Sequence, residues 1–258
     1  MAATVFYLNP VPEVGSTAVL DGKEGHHAAT VRRVRIGEQI VLSDGAGVVA
    51  DTEVTAVERD RLELTVLSRS EVAPPRPTVG LVQALPKADR SELAVELATE
   101  AGVDFVVPWQ AARCVARWEG ARATKGVTRW ANVAAAASKQ SRRAFVPEVG
   151  DLHDTAAVAR LVEEVVARGG IAAVLHESAT EAFAALPFRS TDEVLLVVGP
   201  EGGMDDREIE RLTAAGATPV ILGPTVLRTS TAGAVALGAI GVLTDRWSST
   251  PLESGGAS

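Results

Sequence analysis

Two glycine-bearing stretches in the last third of the chain hold the residue types best suited to grip a ligand. Gly199-Pro-Glu-Gly-Gly203 follows the apolar run Val194 to Val198. Three glycines there permit positive φ and a close approach of main chain to a bound molecule. Leu222-Gly-Pro-Thr-Val-Leu-Arg-Thr-Ser-Thr-Ala232 follows a second apolar run, Pro219 to Leu222, and carries a single cation, Arg228. His176-Glu177 stands at the end of a third run, Ile171 to Leu175. Neither loop is a Gly-Lys-Ser/Thr phosphate loop or a Gly-x-Gly-x-x-Gly dinucleotide turn. What they share is position. Ligands of open α/β sheets sit outside the carboxyl ends of strands, and the helix after Gly203 aims its free N–H groups at the same place. Three strand ends are therefore expected to line one crevice. No metal is expected, and the single cysteine, Cys114, reads as a small buried hydrophobe rather than a nucleophile.

The elements that must position these loops change character along the chain. Residues 1–70 read as short strands with turns: Thr4 to Leu8, Thr17 to Leu20, Gln39 to Ser43, Val48 to Ala50, Asp51 to Val57 and Leu62 to Leu67, with a short helix over His26 to Val34. This is the pattern of a small β-barrel-like domain. Three prolines within residues 71–77 mark a stiff linker. From 78 to 247 strands and helices alternate: strands at Thr78 to Leu85, Val103 to Val107, Ile171 to Leu175, Val194 to Val198 and Pro219 to Leu222; helices at Arg90 to Ala101, Val127 to Arg143, Thr155 to Arg168, Asp206 to Ala215 and Thr231 to Leu243. Such alternation implies a parallel α/β sheet, with continuously apolar strands because both faces are covered. Asp205 with Glu208 three residues on reads as a capping box. The Ser/Gly-rich stretch 248–258 reads as a disordered tail.

Charge is unevenly spread. The chain of 258 residues has a net charge of −8, which argues against a protein that coats nucleic acid non-specifically. Yet residues 113–143 carry eight Lys and Arg against one acid, inside flanks that are both acidic. A basic island of this kind is either an electrostatic footprint for a polyanion or a solvated helix face. The N-terminus lacks a basic region followed by an apolar run, and no apolar stretch reaches the ~20 residues needed to span a bilayer, so a cytoplasmic location is expected.

The two loops, in this order, together with Glu100-Ala-Gly-Val103 and Pro108, Gln140-Ser-x-Arg143 and Pro147, and His26 with Val31-Arg32-Arg33 and Gly37, resemble the ribosomal RNA small subunit methyltransferase E family of the SPOUT class. The resemblance covers nearly the whole chain. It implies a PUA-like RNA-binding domain, then a SPOUT domain whose C-terminal part forms a trefoil knot, a homodimer, and transfer of methyl from S-adenosylmethionine to N3 of a uridine in 16S ribosomal RNA, in the assembled small subunit. Carried onto this chain, it implies that Leu175, Gly199, Pro200, Glu201, Gly202, Gly203, Leu222, Gly223, Leu227 and Ala232 surround the cofactor. Arg228 is the candidate catalytic residue, because a guanidinium stabilises the imide anion formed when uridine N3 loses its proton. Arg32, Arg33, Arg35, Arg113, Arg142 and Arg143 are the candidate RNA contacts. Two positions depart from the family pattern: Ser230 where a glutamate is frequent, so a glutamate there is not the base, and Lys139 where an acid is common. Competing readings are a SPOUT enzyme with another RNA target, a non-catalytic RNA-binding or ribosome-assembly factor, and a nucleotide-binding enzyme; the last lacks the expected lysine.

Overall fold

Alternating apolar and polar residues build the antiparallel heart of the N-terminal unit. In the computed structural model, which describes residues 4–87, 90–248 and 252, β1 (Val5–Tyr7), β2 (Thr17–Leu20), β3 (Gln39–Ser43), β4 (Val48–Val57) and β5 (Leu62–Glu71) form one sheet in the order β1-β3-β4-β5-β2. The two stretches expected around Val48 to Val57 are one strand, bent by register irregularities between Asp51 and Thr52 and between Val54 and Ala56. Phe6, Leu20, Ile40, Leu42, Leu62 and Leu64 are fully buried between this sheet and the helical stretch beside it. That stretch is α1 (Gly22–His26), continued by a π-helical turn over His27–Val31, so it begins earlier than expected. Gly25 explains the fit: a Cβ there would lie 2.3 Å from the Asp60 carbonyl oxygen, so only glycine lets the helix pack backbone to backbone.

The C-terminal unit is a seven-stranded, wholly parallel sheet in the order β10-β12-β9-β11-β6-β7-β8. Its strands are β6 (Thr78–Ala84), β7 (Phe105–Trp109), β8 (Glu148–Val149), β9 (Ile171–Leu175), β10 (Glu181–Ala182), β11 (Glu193–Val198) and β12 (Thr218–Ile221). β8 and β10 are two-residue edge strands with no periodicity to announce them. The helices are α2 (Ser91–Glu100), α3 (Ala121–Gln140), α4 (Thr155–Ala167), α5 (Asp206–Ala214) and α6 (Thr229–Leu243). One helix layer pairs α2 with α6, and α6 also rests on β6 and β11; α4 and α5 make the other, over β9, β11 and β12. Gly233 lets α6 settle on the sheet, since a Cβ there would stand 2.9 Å from a methyl of Leu81. The central strands are mostly apolar and buried, as covering on both faces requires, with Gln83 of β6 the buried polar exception, its amide donating to the Ala84 carbonyl at 3.0 Å.

Two boundaries differ from the sequence reading. α3 starts six residues earlier than expected and stops at Gln140, because Arg142 adopts a left-handed conformation (φ 57°) and the Arg143 N–H turns back to the Ser138 carbonyl at 2.9 Å. The segment Ser138–Val146 then belongs to the N-terminal unit, together with the residues up to Pro74 and with Leu252. It is tied there by the Gly47 N–H to Ala144 and the Val146 N–H to Gly45, at 3.1 and 2.8 Å. Arg142 and Arg143, assigned by sequence to the large domain, therefore stand with the small one. Of the expected tail, only Ser248 and Leu252 lie within the described residues.

Candidate functional site

Strand register brings the three expected strand ends together. Leu175, the last residue of β9, is paired on one side with Val198 at the end of β11 and on the other with Val220 of β12. Gly199, His176 and Leu222 thus leave the sheet side by side. The His176 N–H donates to the Val220 carbonyl (3.0 Å), and its Nδ1 accepts from the Ser178 N–H (3.3 Å), so this histidine holds its own turn.

The loop after β11 is braced on every side. Pro200 is buried, and its carbonyl accepts from the Gly203 N–H at 2.9 Å, closing a turn that needs φ +72° at Gly203. Gly199 has no room for a side chain: a Cβ would lie 2.8 Å from Met204 Cγ. Glu201 is exposed, yet its Oε1 accepts from the Lys87 N–H (3.0 Å) on the chain leaving β6. Arg113 Nη1 donates to the carbonyls of Gly202 (3.4 Å) and Met204 (3.3 Å), so this candidate RNA contact lies against the loop.

Beneath the loop, the expected capping box forms: the Asp205 N–H donates to Glu208 Oε2 at 3.0 Å, and Asp205 caps α5. Sequence reading missed the rest of Glu208's work. Only 5% exposed, its Oε1 also accepts from the Ala112 N–H (2.9 Å) and from Thr155 Oγ1 (2.8 Å), and Thr155 in turn accepts from the Trp109 indole N–H (3.2 Å). One carboxylate therefore joins the start of α5, the loop after β7 and the start of α4. The sequence signal was only half visible, since Glu208 is placed by its capping role but its other two donors lie 53 and 96 residues away.

The loop after β12 is held far less. The N–H groups of Gly223, Thr225, Val226 and Leu227 have no partner among the described residues. Leu222 and Leu227 are half-buried, and Gly223 needs φ +79° with open space around it. Arg228 caps α6 through its carbonyl, which accepts from the N–H groups of Thr231 and Ala232, both at 2.9 Å. Its guanidinium is exposed and makes no hydrogen bond or ion pair with any described residue, so it does not brace the fold. Behind it, Ala232 and Ser230 are buried, and the Ser230 hydroxyl has no partner among the described residues. Cys114 is buried too, and burial pushes its thiol pKa up, away from nucleophilic chemistry.

The remaining candidate arginines belong to the N-terminal unit. Arg32 reaches Thr4 Oγ1 at 3.3 Å; Arg33 and Arg35 are exposed; Arg142 and Arg143 are half-buried. Arg33, like Arg142, takes a left-handed conformation (φ 56°) at a helix end where glycine is the usual choice. Lys139 is committed internally, 2.7 Å from Glu24 Oε2 and 4.5 Å above the Phe6 ring. Burial, then Lys139, depress the pKa of nearby His27. Among the described residues no group of His, Cys, Asp and Glu converges as a metal site would, and no helix is long and apolar enough to cross a membrane.

Comparison with known proteins bears on both units. Residues 74–241 match the RNA methyltransferase domain family, and residues 20–67 match the RNA methyltransferase PUA domain. Ribosomal RNA small subunit methyltransferase E of Mycobacterium bovis is 55% identical over 247 residues, covering 96% of this chain and 94% of that protein. The Bacillus subtilis protein of the same name is 34% identical over 239 residues, 90% of this chain and 93% of its own. Among solved structures, ribosomal RNA small subunit methyltransferase E from Neisseria gonorrhoeae, bound to S-adenosyl methionine, superposes with a TM-score of 0.84 at 27% identity over 94% of this chain and 98% of that one.

Proposed function

The chain belongs to the ribosomal RNA small subunit methyltransferase E family, and on that premise we propose that it transfers the methyl group of S-adenosylmethionine to N3 of a uridine in 16S ribosomal RNA. The observation that carries this reading is the alignment of Leu175, Gly199 and Leu222 at three adjacent strand ends, with a braced glycine loop on one side and an open loop bearing an unpaired Arg228 on the other.

The residues fit the cofactor. Leu175, Leu222 and Leu227 are the apolar groups for an adenine ring, and the free N–H groups between Gly223 and Leu227 are its hydrogen-bonding edge. Gly199, Gly202 and Gly203, with Pro200 fixing their turn, supply main chain where side chains would exclude a ribose and an amino-acid tail. Glu201 has its second carboxylate oxygen left for a hydroxyl. Gly223 and Ala232 keep the rim of the open loop small. When bound, the cofactor supplies an electrophilic methyl on a sulfonium.

The protein must then present N3 stripped of its proton. Arg228 stabilises the resulting anion through the flanking carbonyl oxygens, and its lack of a protein partner leaves all its donors for that task. Holding N3 in line with the methyl supplies further rate. Arg32, Arg33, Arg35, Arg142 and Arg143 grip phosphates and set the position of the RNA without reading its sequence. Arg113 steadies the glycine loop. A homodimer in the cytoplasm, a closed barrel in the PUA domain and a trefoil knot in the C-terminal part, with the assembled small subunit as substrate, complete the reading.

The test is transfer of labelled methyl to unmethylated small subunits, followed by mapping of the modified nucleotide. Label at N3 of one 16S uridine is the expected result. Label on transfer RNA or at another ribosomal position would replace the target. Absence of label together with absence of calorimetric cofactor binding would favour a non-catalytic RNA-binding protein.

A further inference from the structure

At the carboxyl end of β7, in the same row of strand ends as the glycine loop, a groove of about 540 Å³ opens between the loop after β7 and the start of α4. Gln110, Arg117, Trp118, His153 and Arg160 line it, with the carboxylates of Glu119 and Asp154. None of these residues is used by the reading above. Trp118 is fixed from three directions. Its N–H donates to Gln110 Oε1 at 3.0 Å, and Gln110 Nε2 in turn donates to the Ala116 carbonyl at 3.3 Å. Its indole meets Trp130 edge to face, with ring centroids 5.2 Å apart. On α3, a Cβ built on Gly126 would lie 2.7 Å from each of Cδ2, Cε2 and Cε3 of Trp118. Equal distances to three fused-ring atoms put Gly126 over one face of the indole, and Trp118 is half-buried in the wall of the groove.

The charged groups around this ring are two guanidiniums and two carboxylates, of which Glu119 is exposed at the rim. Arg160 is exposed and makes no hydrogen bond or ion pair with any described residue, and Arg117 gives one N–H to the Ala112 carbonyl (2.9 Å). Asp154 is occupied as the cap of α4, accepting from the Ala157 N–H at 2.7 Å. A rigid aromatic face beside two guanidiniums with spare donors is the arrangement that holds single-stranded nucleic acid, by stacking a base and pairing its phosphates. β7 lies two strands from β11, ~10 Å along the sheet, which suits a nucleotide neighbouring the one at the glycine loop.

We propose that this groove binds an unpaired nucleotide of the substrate RNA next to the target, its base on Trp118 and its phosphates on Arg117 and Arg160. The proposal rests on the RNA methyltransferase reading. The experiment uses the full chain and unmethylated small subunits, comparing wild type, Trp118→Leu and the double variant Arg117→Ala/Arg160→Ala, with cofactor affinity measured separately by calorimetry. The expected result is a KM for subunits raised at least ~5-fold in each variant, as loss of one stacked base or its phosphate contacts implies, with the cofactor Kd unchanged. An unchanged KM in the double variant overturns the proposal, and so does a raised KM that appears only with a loss of oligomer mass, which would make the groove an interface between copies. If Trp118→Leu fails to fold, the double variant, altered only at exposed residues, decides. A wild-type protein that methylates no RNA would sink the functional reading itself, an outcome distinct from failure of the groove.

Discussion

The two loops that frame the candidate site lie at neighbouring strand ends, yet they are built in opposite ways. The glycine loop, Gly199 to Gly203, is over-determined: Pro200 is buried, Lys87 and Arg113 bind it from two other loops, and Glu208 anchors the helix that follows. The loop from Leu222 to Arg228 has almost no internal support, and its one cation makes no hydrogen bond or ion pair with any described residue. The difference teaches which half is preorganised and which is completed by what binds. A braced backbone costs no reorganisation when ligand arrives, and free N–H groups and a free guanidinium have their partners still to find.

Replacing Arg228 tests the open side and carries the largest expected effect. Because its guanidinium supports nothing in the fold, Arg228→Ala is expected to leave thermal unfolding unchanged while lowering kcat for methyl transfer by ~10²-fold or more. A fall in unfolding temperature of several degrees would show that the arginine braces the loop after all. On the braced side the opposite pattern is expected. Glu208→Gln must turn its amide toward either the Asp205 N–H or the pair formed by Ala112 and Thr155, leaving a buried donor facing a donor. Calorimetry should show a loss of about 2 kcal/mol, or roughly 5 °C, with the cofactor KM rising more than kcat falls.

A matched pair of glycine substitutions sharpens the contrast. Gly199→Ala puts a methyl 2.8 Å from Cγ of the buried Met204 and should cost ~1–2 kcal/mol along with cofactor affinity. Gly223→Ala meets no atom within 4 Å and should cost only the strain of a left-handed alanine, ~1 kcal/mol. Equal losses in denaturant unfolding would erase the distinction between the loops.

Much of this frame was legible in the sequence, for physical reasons that also mark where reading fails. The apolar runs at Val194 and Ile171 are unmistakable because parallel strands are covered on both faces, and the Asp205–Glu208 spacing announces a helix start. The edge strands Glu148–Val149 and Glu181–Ala182 are two residues long and too short to show a period. The end of α3 was misjudged because Arg142 occupies a left-handed position usually marked by glycine. At the site, glycines and Arg228 stand out by type and spacing. The roles of Arg113 and Glu208 do not, since their partners are backbone groups far away in sequence, and no residue type at position 112 or 202 signals a carbonyl or N–H in need of a partner.

Ser230 offers the smallest effect and the finest cut. It lies in the first turn of α6, two residues after Arg228, 2% exposed, with a hydroxyl that has no partner among the described residues. A buried hydroxyl without a hydrogen bond is a net cost to the fold, so removing it relieves that cost while opening little space. Ser230→Ala is therefore expected to unfold at the same denaturant concentration as wild type or slightly higher, a gain of at most ~1 kcal/mol, and to bind the cofactor unchanged. A loss of stability in the free protein would mean that the hydroxyl has a partner behind the open loop, and that this loop is better braced than its neighbour makes it look. Stability kept in the free protein but lost in the presence of cofactor would instead place the hydroxyl among the groups that the open loop offers to what it binds.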